Sequence, residues 1–184
     1  MIRRLPRFLS PLEVAEMFRV AAPSKRDSML LKCLYYLGLR NAEGRNLLIE
    51  DVDIINKTVK VVQGKGKKDR LVPIPGGFSV ELQTFIAGKE GPVFPGRSQG
   101  KLSDRHIRRV VKKYAQEAGI RKAEEIHPHT LRHSYATHLQ NQGVPLNVIQ
   151  AILGHARLET TTIYTHLGME RTKEWVEKAF SEEK

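Results

Sequence analysis

From Val52 to Ile74 the chain reads VDIINKTVKVVQGKGKKDRLVPI, and here alone the apolar residues alternate in short β-branched runs. Val52-Asp-Ile, Thr58-Val-Lys-Val-Val-Gln63 and Arg70-Leu-Val-Pro-Ile74 read as three strands. Asn56-Lys57 and Gly64-Lys-Gly-Lys-Lys68 separate them as turns, so the segment predicts a small antiparallel three-stranded sheet. Its second turn is a basic, Gly-rich tip with room for close approach to a ligand.

On either side the period is helical. Upstream, Ser10-Pro11-Leu12-Glu13 is a helix start: Ser10 caps, Pro11 suits the first helical position and Glu13 completes a capping box. A second start at Ser24 leads into Met29-Leu-Leu-Lys-Cys-Leu-Tyr-Tyr-Leu37, apolar nearly all round, which predicts a buried central helix ended by Gly38. A short helix from Ala42 to Leu47 precedes the strands. Downstream the pattern predicts helices over Phe78–Ala87, Ser103–Ala118, Pro128–Gln142, Leu146–Leu153 and Thr160–Leu167, with Gly143, Gly154 and Gly168 as stops. A tail helix at about 170–181, carrying Trp175, Val176, Ala179 and Phe180, closes the chain. The fold class is mainly α with a small antiparallel three-stranded sheet (α+β), expected as a single domain over residues 1–184.

Charge narrows the function. The 184 residues carry 31 Lys+Arg against 20 Asp+Glu, a formal net charge of +11. That surplus favours polyanions, nucleic acid first. It is concentrated: Arg97–Lys122 has nine basic residues against Asp104 and Glu117, and Lys57–Arg70 has six against Asp69. In the helix over Ser103–Ala118, Ile107, Val110, Val111, Tyr114 and Ala118 form one apolar stripe, while Arg105, Arg108, Arg109, Lys112 and Lys113 fall mostly on the other face. The single cysteine, Cys33, excludes an internal disulfide. No run approaches the ~18 apolar residues of a membrane span, and no apolar signal core follows Met1. The expectation is a soluble, intracellular, basic domain.

The most specific stretch is His129-Thr-Leu-Arg132-His133-Ser-Tyr-Ala-Thr-His138-Leu. On a helix, His129, Arg132 and His133 share one face, while Leu131, Tyr135 and Leu139 anchor another. Leu153-Gly-His155 and Ile163-Tyr164-Thr-His166 follow downstream, and upstream Gly38-Leu-Arg40-Asn-Ala-Glu43 sets an arginine just past the central helix. Histidines 127, 129, 133 and 138 also invite a zinc reading, since 129 and 133 have metal-ligand spacing. No His-Glu-x-x-His and no second cysteine support it, and the reading here is no metal site.

With these pieces in order, the sequence resembles the tyrosine recombinases (phage-integrase-like), and within them the Xer type that resolves chromosome dimers. The resemblance runs from about Leu5 to Arg171 and rests on Gly38-Leu-Arg40 with Glu43, Gly64-Lys65-Gly66, His129-x-x-Arg132, Leu-Gly-His155 and Tyr164. It implies a site-specific recombinase that cleaves and religates duplex DNA through a covalent 3′-phosphotyrosine, with no ATP, metal or other cofactor. The roles it implies are Tyr164 as nucleophile, Arg40 and Arg132 as phosphate forks, and Lys65 as general acid to the 5′ oxygen. His129 would accept a proton or touch the phosphate, and His155 would hydrogen-bond it. Glu43 and His133 are supporting residues, Glu43 orienting its neighbours. Lys67, Lys68, Arg70, Arg105, Arg108, Arg109 and Lys112 are the expected DNA-backbone contacts.

The chemistry is coherent apart from the resemblance. Arginine forks stabilise charge developing on phosphate oxygens, and cations beside a phenol of pKa near 10 favour the phenolate that attacks. The resemblance further implies double-stranded DNA as the partner, a homotetramer on DNA with the tail helix as a contact between protomers, and a cytoplasmic, nucleoid-associated location. Two departures stand out: the family's N-terminal core-binding domain is absent from the chain, and Gly44 replaces an apolar residue. Two rival readings remain: a non-catalytic DNA-binding module or regulator that keeps the fold, and type IB topoisomerase-like strand relaxation.

Overall fold

The computed structural model describes residues 7–62, 69–96, 100–154 and 166–181. The first helix, α1 (Pro11–Ala21), starts as expected: the Glu13 N–H donates to Ser10 Oγ at 3.2 Å and the Ser10 N–H donates to the Glu13 carboxylate at 2.8 Å. The central helix α2 (Lys25–Tyr36) buries Leu30, Leu31, Cys33, Leu34 and Tyr35 almost completely. It packs against α1, the short α3 (Asn41–Asn46) and α6 (Pro128–Asn141), which makes it the axis of the core.

The three strands β1 (Val52–Asp53), β2 (Thr58–Val61) and β3 (Arg70–Pro73) form an antiparallel sheet in the order β1-β2-β3, with Val52 opposite Val59 and Val61 opposite Arg70. Along β2 and β3, Val59, Val61, Arg70 and Val72 point inward while Lys60 and Leu71 point out. Helix α4 (Gly76–Ile86) follows, then the basic α5 (Asp104–Glu117), capped by Ser103 Oγ accepting from the His106 N–H. Its apolar stripe of Ile107, Val110, Val111 and Tyr114 is buried as the periodicity requires. Single-turn 3₁₀ segments at Ile49–Asp51 and Ala123–Glu125, without a signal in the sequence pattern, join neighbouring elements. Helix α7 (Leu146–Leu153) packs on α6 and β3.

The chain end differs from expectation. The last helix, α8, spans His166–Ser181, so Gly168 lies inside it rather than stopping a preceding helix. Buried Met169, Thr172, Val176 and Ala179 make one helical stripe, and the Thr172 hydroxyl donates to the Gly168 carbonyl at 2.7 Å. That burial outweighs the ~1 kcal/mol a mid-helix glycine costs. The expected helix over Thr160–Leu167 falls largely outside the described residues. Phe180 stacks on Tyr135 with centroids 5.8 Å apart and also meets Tyr35 and Tyr36 edge-on, so the tail docks on its own domain.

His138 pins the segment entering α1 to the core. Its Nε2 lies 2.8 Å from the Leu9 carbonyl and its Nδ1 2.6 Å from the Tyr35 hydroxyl. A carbonyl only accepts, so Nε2 carries the proton and Nδ1 accepts from Tyr35. Burial holds this imidazole below its ordinary pKa, in the neutral form that the arrangement uses.

Candidate functional site

Glu43 is the hub of the site. It sits one turn into α3, where its carboxylate accepts the Arg40 backbone N–H and an Arg40 guanidinium N–H, both at 2.7 Å. From β3, Arg70 closes a two-pronged pair on the same carboxylate, with both bonds at 2.8 Å. From α6, Arg132 Nη1 comes within 3.8 Å of it. Burial pushes the Glu43 carboxyl up, but the Arg70 and Arg40 bonds prevail and hold it at about 2.

The same three arginines converge on the end of α7. Arg70 Nε donates to the Ile152 carbonyl at 2.7 Å, Arg132 Nη2 to that of Leu153, and Arg40 Nη2 to that of Gly154 at 3.2 Å. The last carbonyls of a helix have no partner within it and carry the negative end of its dipole, so three cations there are favourable. Gly154, at φ 68°, turns the chain away after them. Arg132 Nη1 also donates to the Gly38 carbonyl, at the end of α2. Gly38 has φ 54°, and a Cβ there would lie 2.7 Å from Tyr135 Cδ1, so no larger residue fits the approach of α2 to α6.

Exposure is graded across the cluster: the side chains of Arg70, Glu43 and Arg132 are 1%, 8% and 9% exposed, whereas Arg40 is 32% exposed. Burial, then the neighbouring Arg40 charge, pushes Arg132 down to about 10, against the pull of Glu43. It is therefore still charged at neutral pH. Each terminal guanidinium nitrogen has two hydrogens, so Arg40 and Arg132 keep further donors for a ligand. Among the described residues, three guanidiniums against one carboxylate leave a net positive cluster suited to a phosphate. His129 is exposed, one helical turn before Arg132. Burial, followed by the charges of His127, Arg132, Arg108 and Arg40, holds it below its ordinary pKa and favours a neutral base.

The structure therefore brings Arg40, Glu43 and Arg132 together, with His129 beside them. Lys65, Lys67, Lys68, His155 and Tyr164 lie outside the described residues. His133 is half-buried, its ring edge-on to Phe8 at 6.4 Å. Arg105, Arg108, Arg109 and Lys112 are exposed on α5, whose start is tied to α3 by the Asn41 amide donating to Asp104. Arg70 overturns its expectation. Its side chain is 1% exposed and bonded inside the protein through all three nitrogens, so it presents no donor to a DNA backbone. The strand alternation held the signal, because Arg70 shares the inward face of Val72. The zinc alternative loses His138, both of whose ring nitrogens are engaged.

A family model described as the phage integrase family matches residues 7–171. The chain belongs to this family. Among phage integrase relatives, a tyrosine recombinase of Pseudothermotoga lettingae is 41% identical over 90% of this chain and 58% of its own length. The tyrosine recombinase XerA of Thermococcus kodakarensis is 39% identical over 96% of this chain and 64% of its own. The chain thus spans about three fifths of the length of the curated relatives it matches. Among solved structures it is similar to a XerA recombinase, with TM-score 0.77 and 31% identity, covering 94% of this chain and 64% of that one. The integrase of mycobacterium phage Brujita gives TM-score 0.83 at 27% identity, covering 97% and 60%. A XerH site-specific recombinase bound to its difH substrate gives 0.72 at 28%, covering 95% and 55%. Among the described residues no helix is long and apolar enough to cross a membrane.

Proposed function

We propose that this chain is the catalytic domain of a site-specific tyrosine recombinase that cuts and rejoins duplex DNA. The observation that carries the reading is the convergence of Arg40 and Arg132 on Glu43 and on the end of α7, with donors left for a phosphate. In the proposed step the Tyr164 oxygen attacks the scissile phosphorus, forming a 3′-phosphotyrosine bond as the bond to the 5′ oxygen breaks. His129 takes the phenol proton, Lys65 delivers a proton to the departing 5′ oxygen, and His155 hydrogen-bonds the phosphate. Arg40 and Arg132 stabilise the charge that develops on the non-bridging oxygens. The phosphodiester is exchanged and not hydrolysed, so a second strand's 5′-hydroxyl reseals it with neither ATP nor metal.

Duplex DNA is the partner this chemistry requires, and the exposed basic face of α5 is its proposed backbone contact. The reading includes a homotetramer on DNA and a cytoplasmic, nucleoid-associated location. Because the inner face of α8 is buried on its own domain, any contact it makes between protomers uses its outer face. The chain is read as one catalytic unit, since a single buried cluster runs from Leu9 through Ala179.

The test is a panel of nicked suicide duplexes incubated with the chain, with and without EDTA. The expected result is a covalent adduct on some sequences, undiminished by EDTA. Cleavage indifferent to sequence would instead favour a type IB topoisomerase-like activity, and DNA binding without adduct a non-catalytic module.

A further inference from the structure

We propose that Arg70 is a positioning residue for strand cleavage: it locks Glu43, and through it Arg40, to the end of α7 that precedes His155. The inference rests on the tyrosine recombinase reading and deepens it. Arg70 uses its guanidinium in three directions at once: Nε to the Ile152 carbonyl at 2.7 Å, and each terminal nitrogen to one Glu43 oxygen at 2.8 Å. Only a planar fork satisfies this set, and a lysine ammonium in the same place reaches part of it.

Stability alone does not explain such a group. Apolar residues commonly fill the space of a buried ion pair with equal or greater stability, so a cation that is only 1% exposed calls for a geometric reason. The three elements it joins supply one. Arg70 lies five residues after Lys65 in the chain. Ile152 stands three residues before His155, and Glu43 three after Arg40. One side chain thus ties together the segments flanking three groups of the proposed chemistry. Loosening it frees the Glu43 carboxylate to swing, and Arg40, bound to that carboxylate through side chain and backbone, loses its aim with it.

The test compares the unsubstituted chain with Arg70→Lys and Arg70→Met on a nicked suicide duplex that the unsubstituted chain cleaves, normalised to folded protein by circular dichroism. Single-turnover adduct rate and DNA Kd are read from pH 5 to 8. Arg70→Lys is expected to slow adduct formation by about 10- to 100-fold, the usual effect of removing a group that orients a reacting one, with Kd within about threefold. In Arg70→Met the carboxyl of Glu43, faced now by Arg40 from α3 and Arg132 from α6 alone, is expected to titrate at higher pH. The adduct rate of that variant should therefore fall towards pH 5 more steeply than that of the unsubstituted chain.

An Arg70→Lys rate equal to the unsubstituted one overturns the inference, as does a rate loss matched by an equal loss of Kd, which would make Arg70 a DNA contact after all. Should Arg70→Met not fold, Arg70→Lys carries the decision through its split between rate and Kd. No adduct from the unsubstituted chain on any duplex overturns the recombinase reading, and this inference with it.

Discussion

Replacing Glu43 by glutamine removes the one negative charge around which three arginines are assembled. Arg70 is then left as a buried cation without a counter-charge, and the new amide presents N–H groups to guanidinium N–H groups. Breaking a buried pair by removing one partner typically costs about 3–5 kcal/mol. The titration of the carboxyl points the same way: it is held at about 2, well below the ordinary glutamate range, so the charged form is favoured by a few kcal/mol, on the order of 3. Glu43 is only 8% exposed, so solvent screening reduces this little.

The expected loss for Glu43→Gln at pH 7 is about 3–5 kcal/mol. For a chain of this size that lowers Tm by about 6–20 °C. Because the folded carboxyl titrates below the unfolded one, its contribution is complete above about pH 4.5 and disappears as the pH falls through about 2. Urea unfolding of both proteins should therefore show a large gap at pH 7 that narrows as the pH is lowered from 4.5 towards 2. A gap below about 1 kcal/mol at pH 7, or one that does not narrow in acid, refutes the hub role assigned to Glu43.

Gly38→Ala is expected to lose about 2–4 kcal/mol in urea unfolding, from left-handed backbone strain together with overpacking against Tyr135 and Leu153; a loss under about 1 kcal/mol would mean that α2 and α6 give way easily. Among the described residues the buried Tyr135 hydroxyl has no hydrogen-bond partner, so Tyr135→Phe should leave stability unchanged or raise it by up to ~1 kcal/mol, and a loss would reveal a partner. On α5, Arg105→Gln and Arg109→Gln should each weaken DNA binding alike on all sequences and reduce the slope of log K against log salt by about 0.9, as titrations at several salt concentrations would show.

Much of this architecture was legible in the sequence because it rests on local rules. The capping box at Ser10, the apolar run from Met29 to Leu37 and the alternation of Thr58–Val61 and Arg70–Pro73 each state their element directly. The pairing of Arg40 with Arg132 came from motif order and is matched by their shared approach to Glu43. The sequence points Arg70 outward because its neighbours in the chain are basic and glycine-rich, and that charge density masks the strand alternation that turns it inward. Gly168 departs from expectation for a related reason: glycine ends a helix only where tertiary burial does not continue it, and the stripe from Met169 to Ala179 does. The convergence of three guanidiniums on successive carbonyls of α7 joins positions far apart in the chain, and no local pattern encodes it.

The proposed reaction stands on Tyr164 becoming covalently joined to DNA. Trapping the adduct on a nicked duplex, digesting both components and sequencing the modified peptide by mass spectrometry tests it directly. The expected product is a nucleotide linked through its 3′-phosphate to Tyr164, with no adduct from Tyr164→Phe at unchanged DNA affinity. An adduct on any other side chain, or one that persists in Tyr164→Phe, contradicts it.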